Sequence, residues 1–327
     1  MDHIEYRSIG SLIFRECVKG KSDSSVKQVY TVSNTLGIVR AEAYRDRNLY
    51  SDDTSNYTII RPRMFAYNPS RLNVGSIGTL NTDIPGLVSP MYIVFSFNDR
   101  VITKEFLLHL LKSTYVQTQI EALKEEGARF RFNFARWNKI IVPIPPIEKQ
   151  REIADILDAM EKYAAELAAR RKQFAWYRDR MIKEANKTSK LVAFTDCCNI
   201  FNNKRRPISK NQRVFGKYPY YGANGVQDYV NDYIFDGDYI LIGEDGSVID
   251  EYGYPIVNYT TGKFWVNNHA HILQTTTIAD QSYIFHFLQT INISDLVHEN
   301  ISKLTLSILK DLSIPLPPIE KQREIAA

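Results

Sequence analysis

Cysteine is scarce in this chain of 327 residues, which has three, at Cys17, Cys197 and Cys198. Two of them are adjacent and no Cys-X-X-Cys spacing occurs, so the sequence supports neither a disulfide framework nor a zinc site. The chain also lacks an apolar run of the roughly 18 residues that a membrane-spanning helix needs, and it begins without a signal-peptide pattern. These absences predict free thiols and a cytoplasmic protein.

Motifs for nucleotide binding are missing as well. Neither Gly-X-Gly-X-X-Gly nor the Gly-X4-Gly-Lys-Ser/Thr phosphate loop occurs, which excludes the usual dinucleotide and nucleoside triphosphate sites. The stretch YNPS (67–70) is only superficially similar to the Asn-Pro-Pro-aromatic motif of amino-methyltransferases. Ser70 and Arg71 stand where that motif has its second proline and its aromatic residue.

Two groups of possible metal ligands have simpler interpretations. The carboxylates of FDGDYILIGEDG (235–246) have the spacing of hairpin turns, and the lysine expected in a metal-dependent nuclease is absent. His269 and His271 alternate along a predicted strand and would share one face, which permits metal binding, but no third ligand is evident. We therefore predict no catalytic residue, no metal site and no cofactor on this chain.

Length and composition favour two folded domains. A chain of 327 residues exceeds one typical core, and 44% apolar with 24% charged residues is ordinary for a globular protein. The net charge of +4 is too small to attract nucleic acid by itself. A nucleic-acid partner would have to meet local basic patches.

One decapeptide, PPIEKQREIA, occurs twice, over 145–154 and 317–326. An apolar run, FLLHLL or YIFHFL, and a short predicted strand precede each copy. The prolines fix φ and bias the residues before them to extended conformations. Each half is therefore predicted to close with a helix, a strand, a proline elbow and the start of another helix, while the rest of the two halves looks dissimilar.

A long helix is predicted after the first copy, because no Gly or Pro occurs from Ile147 to about Lys187. Apolar residues recur there at seven-residue spacing, which indicates a left-handed coiled coil about 60 Å long that needs a partner helix. The seam consists of Ile153, Met160, Leu167, Phe174 and Met181. The helix is acidic before Leu167 and basic after it, which favours an antiparallel partner of the same kind, although exposed charge pairs contribute little.

The predicted fold class is α+β, with two globular domains of mixed α/β structure separated by this long coiled-coil helix. Short β-rich stretches with Gly, Asn and Asp turns make up most of each domain. We place the first domain at 1–144, the helix at 145–187, the second domain at 188–315 and the start of a second helix at 316–327.

Two acid-free segments have the composition of DNA-binding loops. Both combine Lys or Arg, which bind phosphates, with Tyr and Asn side chains that can contact bases. The first-half residues are Arg61, Arg63, Tyr67, Asn68, Arg71 and Asn73. The second-half residues are Lys204, Arg205, Arg206, Lys210, Lys217, Tyr220, Tyr221 and Asn224. A solvated loop has a similar composition, but the parallel occurrence in both halves favours DNA binding.

This order of elements resembles the specificity subunit of type I restriction-modification systems over essentially the whole chain. The repeated elbow with its long helix carries the resemblance, together with YPYYGANGVQDY, YILIGEDGSV and FWVNNHAHIL. It implies a non-catalytic subunit in which each target recognition domain reads one half of a bipartite DNA site. It also implies that two conserved helices form an antiparallel coil, which spaces the domains and docks methyltransferase subunits.

The resemblance further implies motor-nuclease subunits as partners, with S-adenosylmethionine, ATP and Mg²⁺ bound by partner subunits. In this sequence the second conserved helix stops soon after Pro318. We expect a truncated chain that either dimerises through its central helix or leaves the seam exposed. The alternative function is a coiled-coil scaffold that binds methyltransferase subunits without normal bipartite DNA recognition.

Overall fold

The computed structural model describes residues 4–44, 50–125, 129–246, 248–297 and 303–327. The chain divides into unit 1 (Met1–Glu166) and unit 2 (Leu167–Ala327), each with its own buried core. Both units mix strands and helices, and one long helix runs from the first into the second. The predicted α+β class with a long central helix is confirmed.

The described part of unit 1 forms ten short strands and four α-helices, the last of which continues into unit 2. The strands are β1 (Glu5–Ser8), β2 (Ile13–Glu16), β3 (Val29–Ser33), β4 (Gly37–Arg40), β5 (Thr58–Ile60), β6 (Phe65–Tyr67), β7 (Ile77–Thr79), β8 (Gly86–Val88), β9 (Ile93–Phe97) and β10 (Ile141–Ile144). The helices are α1 (Ala41–Tyr44), α2 (Lys104–Lys112), α3 (Thr114–Ala122) and the first part of α4 (Ile147–Thr188).

The described part of unit 2 again forms ten strands. These are β11 (Lys190–Ala193), β12 (Cys198–Ile200), β13 (Phe215–Gly222), β14 (Gly225–Val230), β15 (Phe235–Asp236), β16 (Tyr239–Gly243), β17 (Val257–Thr260), β18 (Lys263–Val266), β19 (Ala270–Thr275) and β20 (Ser313–Leu316). Its helices, after the second part of α4, are α5 (Phe194–Cys197), α6 (Gln281–Leu288), α7 (Leu306–Lys310) and α8 (Ile319–Ala326).

The two units have the same sheet topology. Unit 1 has two four-stranded sheets, in the orders β2-β9-β6-β7 and β4-β3-β8-β5, and its first strand β1 pairs with its last strand β10. Unit 2 repeats this arrangement strand for strand as β12-β19-β16-β17, β14-β13-β18-β15 and β11 with β20. Even the parallel pair recurs, as β3 with β8 and β13 with β18. The halves that look dissimilar in sequence are therefore one fold used twice.

One helix of each unit buries the same kind of apolar face. In α2 the buried residues are Phe106, Leu107, Leu110 and Leu111, and in α6 they are Tyr283, Ile284, Phe287 and Leu288. Both sets follow the spacing of one helical face. Each face packs into the main core of its unit. The apolar runs before the two elbows are thus equivalent helices.

A buried glutamine has the same structural role in both copies of the decapeptide. The Gln150 Oε1 accepts a hydrogen bond from the Thr103 N–H at 2.8 Å, and its Nε2 donates to the carbonyls of Val101 (2.9 Å) and Pro145 (2.8 Å). Thr103 is the N-cap of α2, since its side chain accepts from the Phe106 N–H. Gln150 therefore fastens the start of α2 to the proline elbow.

Unit 2 has the same arrangement around Gln322. Its Oε1 accepts from the N–H of Asp280, the N-cap of α6, at 2.7 Å. Its Nε2 donates to the carbonyls of Ile278 (3.2 Å) and Pro317 (2.8 Å). Both glutamines are almost fully buried, and a buried amide must be hydrogen-bonded to be tolerated. The decapeptide is thus a structural clasp in each unit.

Helix α4 runs unbroken for 42 residues. Of the predicted seam, Ile153 packs against the core of unit 1 and Met181 against that of unit 2. Between them Met160, Leu167 and Phe174 are each more than half exposed. The partner helix and the four domain ranges stay predictions. Within the described ranges, no helix is both long and apolar enough to cross a membrane.

Candidate nucleic-acid interface

The basic segment of unit 2 connects β12 to β13 and contains two short 3-10 helices, Asn202–Lys204 and Lys210–Gln212. Side chains of the sheets fasten its backbone. The Trp265 Nε1–H donates to the Arg206 carbonyl at 2.6 Å, and the Tyr220 hydroxyl accepts from the Ile208 N–H at 3.0 Å. These two hydrogen bonds fix the loop backbone at Arg206 and Ile208.

Arg205 makes structural contacts within unit 2, which count against its prediction as a DNA contact. Its guanidinium pairs with Glu244 and donates to the carbonyls of Asn268 (3.2 Å) and Ala270 (2.9 Å). The two charged side chains are only 15% and 17% exposed. These partners hold the guanidinium against the sheet, so Arg205 anchors the loop there.

Burial likewise counts against the prediction of Tyr220 as a base contact. Its side chain is 1% exposed, and the guanidinium of Arg213 lies 4.3 Å from its ring centroid. Arg213 also donates to the Ile208 carbonyl at 3.1 Å and pairs with Asp228 at 3.3 Å. The pair of Tyr220 and Arg213 holds the second half of the loop in place.

The remaining predicted residues of this loop reach the surface. Lys204, Arg206, Lys210, Lys217 and Asn224 are exposed, and Tyr221 is half-buried. The Lys204 ammonium lies 5.1 Å from the ring of Phe201, a distance at which the ring attracts the charge. These exposed side chains form a basic surface on a loop whose backbone is hydrogen-bonded to side chains of the sheet.

A cluster of two lysines and two tyrosines continues this surface, and Lys217 is its one member among the predicted site residues. The Lys217 ammonium lies 5.3 Å from the Tyr218 ring, the Tyr218 and Tyr233 rings are 5.1 Å apart, and the Lys263 ammonium lies 4.4 Å from the Tyr233 ring. A hydrogen bond with Tyr233 raises the pKa of Lys263. Because Lys263 is on β18, far along the chain, only the fold brings it here. We call these four residues the lysine–tyrosine cluster.

The basic segment of unit 1 lies around a turn that joins β5 to β6. Arg61, Arg63, Arg71 and Asn73 are exposed. Arg63 has φ of 68° and is the one non-glycine residue with positive φ in the described part of the chain. Its turn closes through a 3.1 Å hydrogen bond from the Met64 N–H to the Arg61 carbonyl. This is the type II geometry, which favours glycine at the third position.

Tyr67 and Asn68 belong to the interior of unit 1, which counts against their prediction as DNA contacts. Tyr67 is completely buried, packs edge-on against Trp137 and donates its hydroxyl to the Phe132 carbonyl at 3.3 Å. Burial raises its pKa. Asn68 is 7% exposed and accepts from the Ser70 N–H at 3.0 Å. Local composition could not separate these inward side chains from their exposed neighbours.

The two histidines considered as metal ligands do not share a face. His271 is completely buried, and its Nε2 is 2.7 Å from the Leu304 carbonyl oxygen. Burial lowers its pKa. His269 is at the surface beside Asp245. No group of three or more His, Cys, Asp or Glu side chains within the described ranges is arranged to hold a metal ion.

One family model matches this chain twice, once mainly in each unit. The sequence model of the type I restriction modification DNA specificity domain matches residues 41–174 and 186–327. A putative type I restriction enzyme specificity subunit from Haemophilus influenzae is 39% identical over 132 residues, which is 40% of this chain and 34% of that protein. The chain therefore aligns with about a third of that relative's length.

Two further proteins match over more of their length. A putative type I specificity subunit from Mycoplasma pneumoniae is 28% identical over 202 residues, 58% of this chain and 79% of that protein. A crystal structure of a type I restriction-modification S subunit from M. genitalium has the same fold, with a TM-score of 0.70 at 14% identity. That match covers 99% of this chain and 88% of the other.

Proposed function

The chain belongs to the type I restriction modification DNA specificity domain family, and from this membership we propose that it selects the DNA sequence on which a restriction-modification complex acts. The observation that carries the proposal is the pairing of two family matches with two units of identical sheet topology. Each unit has its own exposed basic loop. Phosphate contacts from such loops supply affinity, and base contacts supply specificity.

In this proposal each unit reads one half of a bipartite site. The frames of the two units are the same, whereas their exposed loops differ in sequence and conformation. Unit 1 would use Arg61, Arg63, Arg71 and Asn73, and unit 2 would use its exposed loop and the lysine–tyrosine cluster. Two different reading surfaces on one repeated frame agree with an asymmetric two-part target.

The exposed middle of α4 supports a role in assembly. Met160, Leu167 and Phe174 leave an apolar seam uncovered in the described chain, and such a seam is covered by another helix in a coiled coil. We propose that this helix docks methyltransferase subunits or a second copy of the chain. S-adenosylmethionine would then bind to the methyltransferase subunits, and ATP with Mg²⁺ to motor-nuclease subunits. This chain would contribute no catalytic residue, in a complex located in the cytoplasm.

Charge neutralisation tests the DNA-binding role. We expect the combined change of Lys204→Gln, Arg206→Gln and Lys210→Gln to weaken binding of a mixed-sequence duplex by the chain assembled with its methyltransferase subunits. The slope of log K against log salt should fall by roughly three, about one for each lost phosphate contact. Lys310→Gln, an exposed lysine in the last turn of α7, is the matched control.

The same experiment distinguishes DNA recognition from the alternative function of a scaffold. A complex that assembles but binds no duplex would indicate a scaffold without DNA recognition. An unchanged affinity and salt slope in the triple variant, with the wild-type complex binding DNA, would remove this loop from the interface.

A further inference from the structure

Phe215 is the most exposed large apolar residue in the described part of the chain, at 84%. Its neighbour Val214 is 60% exposed. A ring of this size in full contact with water is costly, since burying a Phe side chain is worth about 1.5–3 kcal/mol. Single exposed apolar side chains are common on protein surfaces, so Phe215 stands out only through the backbone that holds it and the charges around it.

The backbone at Phe215 is held in place by a β-bulge. Phe215 and Tyr218 both pair with Val230 of β14, so the two residues between them have no partner across the strand. Gly216 permits this, because a Cβ there would lie 2.3 Å from the Asn231 Cα. The Asn231 N–H donates to the Val214 carbonyl at 3.0 Å on the other side. Bulges characteristically re-aim side chains, and this one presents Phe215 to solvent.

The equivalent strand of unit 1 has no such extension. In both units this strand makes a two-residue parallel pairing, which starts at Val29 in β3 and at Tyr220 in β13. Strand β3 begins at that residue, whereas β13 begins upstream of it, at Phe215. The common fold therefore does not require the part of β13 that carries Phe215. This extension is a feature of unit 2 alone.

The sequence before and within the extension is basic, while the paired strand β14 carries Asp228, whose carboxylate pairs with Arg213. Lys217 follows within the bulge and leads into the lysine–tyrosine cluster. The loop before it contributes the exposed Arg206 and Lys210. An apolar tip among cations fits a polyanion with apolar faces, which is the chemistry of stacked bases between phosphates. A protein partner would more often be met by an apolar patch with a polar rim of both signs.

We propose that Phe215 is a base-contacting residue of unit 2, with its ring placed against the bases of one half-site while Lys217 and Lys263 contact phosphates. The inference rests on the proposed DNA-binding function and specifies one residue that confers sequence preference. Phe215 would act by apolar and stacking contact, without a hydrogen bond to a base edge. Its preference would therefore fall on one or two adjacent positions of the site.

Selection of duplexes from a randomised pool tests this. The chain assembled with its methyltransferase subunits is compared with the same complex carrying Phe215→Ala or Phe215→Leu. We expect Phe215→Ala to lose preference at one or two adjacent positions of one half-site and to bind the selected duplex about tenfold more weakly. Phe215→Leu keeps an apolar tip and should lie between Phe215→Ala and the wild type.

Tyr252→Ala is the matched control, because Tyr252 is a 69% exposed aromatic residue of the same unit that lies beside Asp250 and Glu251 instead of cations. It should select the wild-type motif with wild-type affinity. Thermal melting of each variant checks folding, which an exposed ring should not affect.

Three outcomes would go against the proposals, and they are distinguishable. If the wild-type complex enriches no motif, the proposed function fails. If it enriches a motif that Phe215→Ala selects equally well, the inference about Phe215 fails alone. If Phe215→Ala instead prevents assembly with the methyltransferase subunits and leaves the motif intact, Phe215 is a protein contact and the inference is overturned.

Discussion

Units 1 and 2 share a fold almost completely and a sequence hardly at all outside the decapeptide. Ten strands of each unit have the same order and the same parallel pair. The clasp made by Gln150 in one unit and Gln322 in the other connects the elbow to the start of an equivalent helix. The exposed loops between strands differ throughout. The frame is thus maintained by a few buried polar contacts and apolar faces, while the surface is left to vary.

Neighbouring residues within each unit also show that composition alone does not define a DNA-binding surface. In unit 2, Arg205 and Arg206 are adjacent in sequence but differ in environment, because Arg205 is paired with Glu244 and Arg206 is exposed. In unit 1, Tyr67 and Arg63 are close in sequence, yet one is core and the other surface. The proposed reading surface consists of side chains that the repeated frame does not bury.

The glutamine clasp gives the largest expected effect. Gln150→Ala or Gln322→Ala leaves a helix N-terminal N–H and two carbonyls without their buried partner, and we expect each change to lower the free energy of unfolding by about 3 kcal/mol. Hydrogen exchange of the full chain should show the loss at α2 for the first and at α6 for the second. Lys149→Ala and Lys321→Ala, exposed neighbours in the two copies, are the controls. Strongly unequal losses would mean that the two frames are not equivalent.

The neighbours Arg205 and Arg206 should separate stability from DNA binding. Arg205→Ala leaves Glu244 without its partner in a mostly buried site, so we expect a loss of about 2 kcal/mol in stability. Arg206→Ala removes an exposed charge and should change stability by less than about 0.5 kcal/mol. It should lower the salt slope of DNA binding by about one, measured at matched folded fractions. A large stability loss for Arg206→Ala, with an unchanged stability for Arg205→Ala, would contradict this prediction.

Acidification should weaken unit 2 before unit 1. Burial lowers the pKa values of His271 and His286, both in unit 2. A histidine with a depressed folded pKa contributes stability above its unfolded pKa of about 6.5, and this contribution is lost as the pH falls below that value. Hydrogen exchange at pH 7 and pH 5.5, corrected for intrinsic rates, should therefore show a larger loss of protection in unit 2. Equal losses in both units would contradict this.

The turn before β6 should give the smallest effect. Arg63 has positive φ, and the corresponding connection in unit 2, between β15 and β16, has Gly237 with φ of 129°. Arg63→Gly relieves strain of roughly 1 kcal/mol but increases the entropy of the unfolded chain. We expect a net gain near 0.5 kcal/mol in denaturant unfolding. Arg63→Ala removes the same charge and keeps the strain, so it should give no gain; a gain of equal size would assign the effect to the charge.

Local sequence was sufficient to predict the elbow and α4, because proline geometry and a heptad pattern act within a few residues. It also indicated which segments are basic. It was insufficient for the identity of the two topologies, since strand order depends on pairings between distant residues such as Val29 with Leu87 and Tyr220 with Trp265. The same limit applies to Lys263, which joins the lysine–tyrosine cluster through the sheet.

Genome-wide methylation mapping tests the central claim most directly. The chain is expressed with its methyltransferase subunits in cells, and the methylated motif is compared with that of cells lacking the chain. Two units of one fold with different reading surfaces predict a motif that depends on the chain and has two specified segments separated by unspecified bases. A single contiguous motif, or a motif unchanged by removing the chain, would contradict the assignment of one half-site to each unit.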